Sequence, residues 1–493
     1  MSEASQALQK IVKGAGIVFV GTVISMILHF LIRIIIARYY STSEYGIFSL
    51  TLTVLNVSLL ISTLGLQHAL PREIAFYKQK RQLSRVKEII TAALTLGIIW
   101  SVLITVILIF SSDSIAQIFH EERLNFTLKL GSFALPFFTL TWIIVSISRG
   151  FEKVDEQFYF QNIIYPLIFL FLIIISLFFK FSLAAMLVSY AIAHVITSLT
   201  LAFRASKRNI LYFNLSYLNK ETGKALFRFS IPLMLTGILN FVMNWTDTLM
   251  LGYYKSSEIV GLYNVASPLA KLILIFLNSV AFLYAPVATS LYSKGKEELE
   301  RTYQLLTKWI FIITLPIFVI MFLFSETIVA FFFGTKYLPA SYALRILSLG
   351  FMFRVVLGSN DVSLIIIREA RLNMIGDVLG TILNIILNGI LIPIFGITGA
   401  AIATAFSYSI ASIFRSICLY KKAKVQPFTL PYIKSLIIGI ILILGLYLNI
   451  TPKIYPISYM LLILGIFLLF YSILMSLSKS FDKEEIRIFL RLE

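Results

Sequence analysis

The sequence predicts an all-α membrane protein with fourteen transmembrane helices, arranged as two parallel six-helix bundles and one further pair of helices. Three observations predict this fold class: the apolar composition, the placement of the basic residues, and an internal repeat. Of the 493 residues, 59% are hydrophobic and 13% are charged, and the mean hydropathy is +0.90. These values exclude an ordinary soluble protein.

Apolar runs long enough to cross the hydrocarbon core, which takes about 20 residues, occur fourteen times between clusters of charged residues. The predicted spans are residues 14–37, 46–68, 88–110, 127–148, 159–179, 183–202, 229–252, 260–283, 304–325, 342–366, 372–395, 398–420, 432–449 and 455–478. The first run is too long for the core of a signal peptide and lacks a small-residue cleavage pattern, so we expect it to be retained.

The basic residues test this count, because Lys and Arg concentrate in the cytoplasmic connections of membrane proteins. If the chain crosses the membrane at each of the fourteen spans, 30 of the 42 basic residues lie on the side of the two termini and only six lie on the other side. We therefore expect a protein of the cell membrane with both termini in the cytoplasm. The net charge of +18 mostly marks topology and does not indicate a nucleic-acid partner.

An internal repeat organises the spans. Residues 39–44 read YYSTSE and residues 253–258 read YYKSSE, and Gly46 aligns with Gly261 at a spacing of 215. Six spans separate the copies, and an even number gives repeats of parallel orientation, a symmetry typical of transporters. We expect bundles at residues 1–228 and 229–424, facing each other across a central cavity, and accessory helices with a cytoplasmic tail at 425–493. Chance matches in an apolar alphabet are the alternative.

The sequence contains few residues that could bind a metal or a cofactor. The chain has one cysteine and four histidines, and the histidines show no ligand spacing, so we expect no metal site, no disulfide framework and no cofactor. The last residues, SKSFDKEEIRIFLRLE, predict either an amphipathic helix on the membrane surface or a solvated tail.

Polar groups inside the spans mark the candidate site, because they are costly in lipid and face a partner or water. Asn240, Asn244 and Asp247 share one face of the seventh span. Lys271 and Arg354 lie at the middle of their spans, where neither side chain easily reaches a membrane surface.

Charges at other depths have other expected roles. Arg33 and Asp247 occupy repeat-related positions and are candidates for an outer gate. Lys129, Arg345 and Arg415, near span ends, are expected to extend to the surface. A row of asparagines in the eleventh span, which includes Asn384 and Asn388, would line the cavity or form hydrogen bonds between helices.

The charge of the side chains that line the predicted cavity indicates the class of substrate. Three basic residues, Arg33, Lys271 and Arg354, with Arg38 and Arg72 at the mouths, outnumber the acidic residues of the spans. The acidic residues concerned are Asp247, Asp361 and Asp377. A cationic lumen favours an anionic substrate, since guanidinium and ammonium groups both bind phosphate.

Four stretches of the sequence carry a resemblance to a known family: LIRIIIARYYSTSEYGIFSL, LGLQHALPREIAFY, YYKSSEIVGLYNVASPL and LNIILNGILIPIFGITGAAIAT. They resemble the polysaccharide biosynthesis export proteins, the O-antigen-type flippases of the multidrug/oligosaccharidyl-lipid/polysaccharide exporter superfamily. The resemblance implies a MATE-like fold and a flippase, not an enzyme, that moves an undecaprenyl- or dolichyl-diphosphate-linked oligosaccharide to the outer leaflet. It also implies that Arg33, Arg38, Arg72 and Lys271 contact the diphosphate. Arg354 is added from its depth alone.

Three other functions remain open at this point. A lipid II flippase differs only in the lipid-linked sugar, and a cation-coupled multidrug antiporter shares the bundle architecture. A membrane glycosyltransferase or polymerase would ordinarily need larger loops than this chain has. The sequence carries no GxxxxGK[ST] motif, so we expect coupling to H⁺, Na⁺ or the membrane potential, with Asp247 as the coupling candidate. Expected partners are membrane lipids and the polymerase or glycosyltransferases of the same assembly line.

Overall fold

The computed structural model describes residues 3–153, 155–179, 182–292, 295–450, 452–478 and 480. Side chains are described outside 3–20, 215, 235, 236, 240, 282, 283 and 286. In the described ranges the backbone is helical apart from turns and short connections, and contains no strand. The surface helix or tail predicted for the last residues lies outside the described part of the chain.

The number of helices agrees with the fourteen predicted spans. By length and composition, twelve helices could cross a membrane, and two bent pairs raise the number to fourteen in the described part of the chain. One bent pair, Arg123–Ser132 and Leu135–Gly150, turns by 44°. Large apolar side chains such as Phe110 and Leu448, which are 81% and 84% exposed, fit a surface that lipid rather than water covers.

Contacts divide the chain into two units, residues 1–261 and 262–493. Unit 1 contains α1 (Glu3–Tyr39), α2 (Thr42–Ser62), α3 (Leu66–Gln79), α4 (Leu83–Ile118), α5 (Arg123–Ser132), α6 (Leu135–Gly150), a π-helical segment (Gln157–Ile164), α7 (Tyr165–Phe178), α8 (Leu183–Lys207), a short turn (Leu215–Tyr217), α9 (Lys220–Tyr254) and the start of α10 (Ser257–Lys271). Its core packs α3, α4, α6 and α8 together through residues such as Leu70, Ile90, Ile144 and Leu201.

Helix α9 belongs to unit 1 because it packs against α2, α3 and α4. The boundaries predicted from the repeat, at residues 228 and 424, would instead begin the second bundle with this helix. They describe internal symmetry rather than packing and stay a prediction.

Unit 2 continues with the end of α10, a 3₁₀ turn (Leu272–Leu274), α11 (Ile275–Tyr292), α12 (Lys296–Leu323), α13 (Ser325–Phe333), a second turn (Thr335–Tyr337), α14 (Ala340–Val356), α15 (Asn360–Ile366), α16 (Ala370–Phe395), α17 (Ile397–Ala423), α18 (Leu430–Asn449) and α19 (Ile457–Leu477). Helices α11, α12, α15 and α17 share a core around Tyr284, Tyr303, Leu364 and Leu419. Helices α18 and α19 pack on each other and on α12.

Two of the spans in unit 2 are interrupted near their middles. In the first, Pro268 lies inside α10, where it removes a backbone donor and disfavours a regular helix, and α10 gives way to the 3₁₀ turn three residues later. In the second, α14 and α15 are separated by Leu357, Gly358 and Ser359. Gly358 has φ +70°, and an added Cβ would approach Thr307 Oγ1 to 2.3 Å. Glycine therefore allows both the turn and the close approach of α12.

Candidate functional site

The two basic residues predicted at mid-membrane lie at these two interruptions. Lys271 is the last residue of α10 and the fifteenth of the 25 residues that form the span Ser257–Ala281. Arg354 is in the last turn of α14 and is the fifteenth of the 27 residues of Ala340–Ile366. The C-terminal end of a helix carries partial negative charge, which a cation in the last turn complements. The 3₁₀ turn after Lys271 packs against α14.

Arg354 is the centre of a group of four charges. Its Nη2 donates a hydrogen bond to Asp361 Oδ2, 3.3 Å away in the first turn of α15. Nearby, Arg415 of α17 donates to Asp377 of α16. The ring of Tyr408 lies below the Arg354 guanidinium, with 5.4 Å between the ring centre and Cζ. The four helices α14 to α17 thus bring together two cations and two anions.

The pairing corrects one expectation of the sequence analysis. Arg415 does not extend to the surface, because its side chain is only 6% exposed and is paired with Asp377. Arg345 does not extend to the surface either: it is half-buried, 2.5 Å from Glu326, and its Nε donates to the carbonyl of Phe322. Sequence depth placed both arginines near span ends, but it contained no signal for partners on other helices.

The three candidate arginines of unit 1 lie on two helices, α1 and α3. Arg33 is half-buried and Arg38 is exposed in the last turns of α1. Arg72 is exposed in α3, where its guanidinium lies over the ring of Phe229 at 5.3 Å. Their role in binding phosphate stays a prediction.

The polar residues of α9 differ in how much of their surface is exposed. Asp247 is buried, with 5% of its surface accessible, whereas Asn244, less than one turn earlier, is exposed. The side chain of Asn240 lies outside the described residues. The proposed gate between Arg33 and Asp247 and the coupling role of Asp247 stay predictions.

The asparagine row of α16 serves helix packing. Asn384 and Asn388 are fully buried. Asn384 Nδ2 donates to Thr404 Oγ1 of α17 at 3.2 Å, and Asn388 Nδ2 donates to Asn384 Oδ1 at 3.1 Å. Asn384 therefore follows the alternative that the sequence left open, hydrogen bonding between helices, and Asn388 bonds to it within α16.

The two copies of the repeated loop contact each other on the predicted outer side. We name this contact the outer junction, formed by the first turns of α2 and α10 and by the connection after α4. Ser43 Oγ lies 2.9 Å from Ser257 Oγ, and Thr42 Oγ1 donates to Glu258 at 3.4 Å. Repeat-related residues thus meet directly, which the sequence match alone could not show.

Glycine makes the outer junction tight. A Cβ added to Gly46 would lie 1.6 Å from the carbonyl oxygen of Ser257, and a Cβ added to Gly261 would lie 2.2 Å from that of Thr42. The two close approaches resemble each other, because each glycine lies against a backbone carbonyl of the other copy of the loop. Only glycine permits this distance between the two helix backbones.

A charged pair supports the outer junction from the connection after α4. Arg123 donates to Glu121 at 2.9 Å and to Ser43 at 2.8 Å, and Ser257 donates to Glu121 at 2.6 Å. Burial disfavours the ionised carboxylate, but the hydrogen bonds from Arg123 and Ser257 outweigh it, so that the pKa of Glu121 is below its ordinary value.

Metal binding finds no support in the described part of the chain, where no group of three or more His, Cys, Asp or Glu side chains could hold an ion.

The many membrane-spanning helices and the repeated loops are typical of a transporter, and the family matches place the chain in the multidrug/oligosaccharidyl-lipid/polysaccharide exporter superfamily. Within it, the chain belongs to the polysaccharide biosynthesis protein family, whose model matches residues 11–291. The model of the MatE family matches residues 232–390. Both assignments agree with the resemblance found in the sequence.

Individual relatives are distant but cover most of the chain. An uncharacterized membrane protein of Methanocaldococcus jannaschii is 26% identical over 88% of both chains. A probable low-salt glycan biosynthesis flippase of Haloferax volcanii is 26% identical over 80% of both chains. The structure of the lipid II flippase MurJ in an inward closed conformation matches with a TM-score of 0.74 at 17% identity, covering 94% of this chain and 98% of that one.

Proposed function

We propose that this protein is a flippase that moves a polyprenyl-diphosphate-linked oligosaccharide from the cytoplasmic to the outer leaflet, for the assembly of a cell-surface glycan. Membership of the polysaccharide biosynthesis family and the relative named as a glycan biosynthesis flippase support this class of substrate.

The observation that carries the proposal is the position of Lys271 and Arg354 at mid-span helix interruptions. A cation at this depth is expensive unless a partner or water solvates it. In other transporters, discontinuous helices form substrate and ion sites near the middle of the membrane. Two such cations fit a diphosphate, because each offers donors to phosphate oxygens.

The proposed mechanism is alternating access. The sugar and diphosphate enter from the cytoplasm and bind Lys271, Arg354 and Arg33, with Arg38, Arg72, Asn240 and Asn244 along the path, while the lipid tail stays in the bilayer. The outer junction closes the outer side during entry. It must part for release, since Gly46 and Gly261 leave no space there.

The test of the substrate site is complementation with variants. In a strain that lacks the gene, Lys271→Gln and Arg354→Gln should reduce surface glycan at least tenfold at normal protein level, since one lost charge-assisted bond is worth about 1.5–3 kcal/mol. Lys421→Gln is the matched control, because Lys421 is exposed at the end of α17. Full activity of both mid-span variants would refute the substrate site.

Energy coupling is tested separately. We propose that Asp247 binds the driving H⁺ or Na⁺, because it is a buried carboxyl in an apolar span. Asp247→Asn should remove the dependence of transport on pH or sodium. If the dependence is the same as in the wild type, Asp247 is not the coupling residue.

The alternatives predict other phenotypes. A lipid II flippase would rescue a strain that lacks its peptidoglycan flippase, and a cation-coupled drug antiporter would change drug susceptibility. We expect neither. Glycosyltransferases or a polymerase of the same glycan pathway, acting before and after transport in the cell membrane, are the proposed partners.

A further inference from the structure

The proposed transport mechanism assigns no role to the Asp361 carboxylate, yet this carboxylate is hydrogen-bonded to the guanidinium of Arg354, which should bind the substrate. Asp361 Oδ2 accepts a hydrogen bond from Arg354 Nη2 at 3.3 Å. A carboxylate in this position presents the same charge and the same acceptor oxygens as a phosphate. We propose that Asp361 is an internal competitor of the substrate diphosphate for Arg354, and that it sets the affinity and promotes release. The inference rests on the proposed function.

The pair is open enough for exchange. The side chains of Arg354 and Asp361 remain 20% and 33% exposed. Within the described part of the chain, one hydrogen bond engages Arg354, although a guanidinium offers five N–H donors. A second anion can therefore approach Arg354 while the bond to Asp361 is still present.

The other pair of the cluster behaves differently. Arg415 is only 6% exposed, although its partner Asp377 is 42% exposed, so an anionic ligand has little access to the Arg415 guanidinium. Arg415 Nε is buried and has no hydrogen-bond partner in the described ranges. Asp361 lies near enough to act electrostatically on Arg415, so a carboxylate displaced from Arg354 still has a cation beside it.

Competition has a consequence that damage to the fold would not have. Removing the competitor should tighten substrate binding, whereas a merely structural residue would weaken it when replaced. A partly exposed ion pair contributes up to about 1 kcal/mol, which corresponds to about fivefold in affinity. Release should slow by a similar factor, so the maximal transport rate should fall while the apparent affinity rises.

The experiment titrates the purified full-length protein with inorganic diphosphate and, in parallel, with farnesyl diphosphate, using calorimetry. The diphosphate is the shared chemistry of the two probes, and the arm that binds more tightly identifies a free or a lipid-borne ligand. Asp361→Asn should tighten binding of at least one probe about fivefold. Asp361→Glu should return the affinity to near the wild-type value.

Asp377→Asn is the matched control, since it removes the same charge from the pair whose arginine is buried. It should change the affinity less than twofold, and Arg354→Gln should cancel the gain of Asp361→Asn in the double variant. Equal tightening in Asp361→Asn and Asp377→Asn would overturn the inference in favour of a general charge effect.

Unchanged or weaker binding in Asp361→Asn, with a wild type that binds the probe, would also overturn the inference and leave the proposed function intact. The proposed function itself fails on a different result, normal surface glycan in the Lys271→Gln and Arg354→Gln strains.

Discussion

The outer junction makes a quantitative prediction for Gly46→Ala. The added Cβ would lie 1.6 Å from the Ser257 carbonyl oxygen and 3.0 Å from the Gly261 nitrogen. Favourable heavy-atom contacts lie at about 3.5–4.0 Å, so the helices would have to separate by more than 1 Å. Neither neighbour is a flexible side chain that could rotate away.

Overpacking of this kind costs about 1–3 kcal/mol, and separation also weakens the bond between Ser43 and Ser257. We expect Gly46→Ala to destabilise the closed junction by about 2–3 kcal/mol, or roughly 30–150-fold in the equilibrium between closed and open states. Gly261→Ala should act in the same direction, because its Cβ would lie 2.2 Å from the Thr42 oxygen.

Cross-linking measures this equilibrium. Cys418, the single native cysteine, is first replaced by serine. Cysteines are then introduced at Ser43 and Ser257, whose Oγ atoms are 2.9 Å apart, and a disulfide between them reports the closed junction. The Gly46→Ala background should form the disulfide at least tenfold more slowly. Gly445→Ala is the control, because no atom lies within 4 Å of its added Cβ. Equal cross-linking rates in the two backgrounds would refute the packing argument.

Three further predictions concern the outer junction and two ion pairs elsewhere in the chain. The oxidised Ser43→Cys/Ser257→Cys protein should lose glycan export and regain it after reduction, and undiminished export in the oxidised state would show that the junction need not open. Folding lowers the pKa of Glu121 below its ordinary value of 4.5. Its ionised carboxylate should therefore stabilise the folded protein fully above pH 4.5, and this stabilisation should be lost as the pH falls below that value. The melting temperatures of wild type and Glu121→Gln should therefore differ at pH 6 and converge at lower pH; a constant difference would contradict this account. Arg345→Ala should cost about 3–5 kcal/mol, since it leaves Glu326 buried without its cation, whereas Lys129→Ala, which breaks an exposed pair with Asp113, should cost less than about 1 kcal/mol; equal unfolding free energies of the two variants would contradict the buried pairing.

The features that follow from local sequence were predictable. Hydropathy and the alternation of Lys and Arg gave the number of spans, because both depend on single segments and on the bilayer. Depth alone identified Lys271 and Arg354, and the structure adds that both lie at helix interruptions. Pro268 and Gly358 were the signals that could have indicated this.

Contacts between helices were not predictable. The spacing of Asp377 and Arg415 in the sequence carries no information about the packing of α16 on α17, so Arg415 was assigned to the surface although it is buried and paired. The repeat identified Gly46 and Gly261 as equivalent but not as neighbours. Such facts depend on tertiary packing, for which a single sequence offers no periodic pattern.

The central claim is that the protein moves a diphosphate-linked glycan across the membrane. The most direct measurement deletes the gene and determines, by mass spectrometry of lipids with leaflet-specific labelling, which lipid-linked glycan accumulates and on which side. We expect one polyprenyl-diphosphate oligosaccharide to accumulate on the cytoplasmic side, and the wild-type protein but not Arg354→Gln to clear it. An unchanged lipid pool, or accumulation on the outer side, would contradict it.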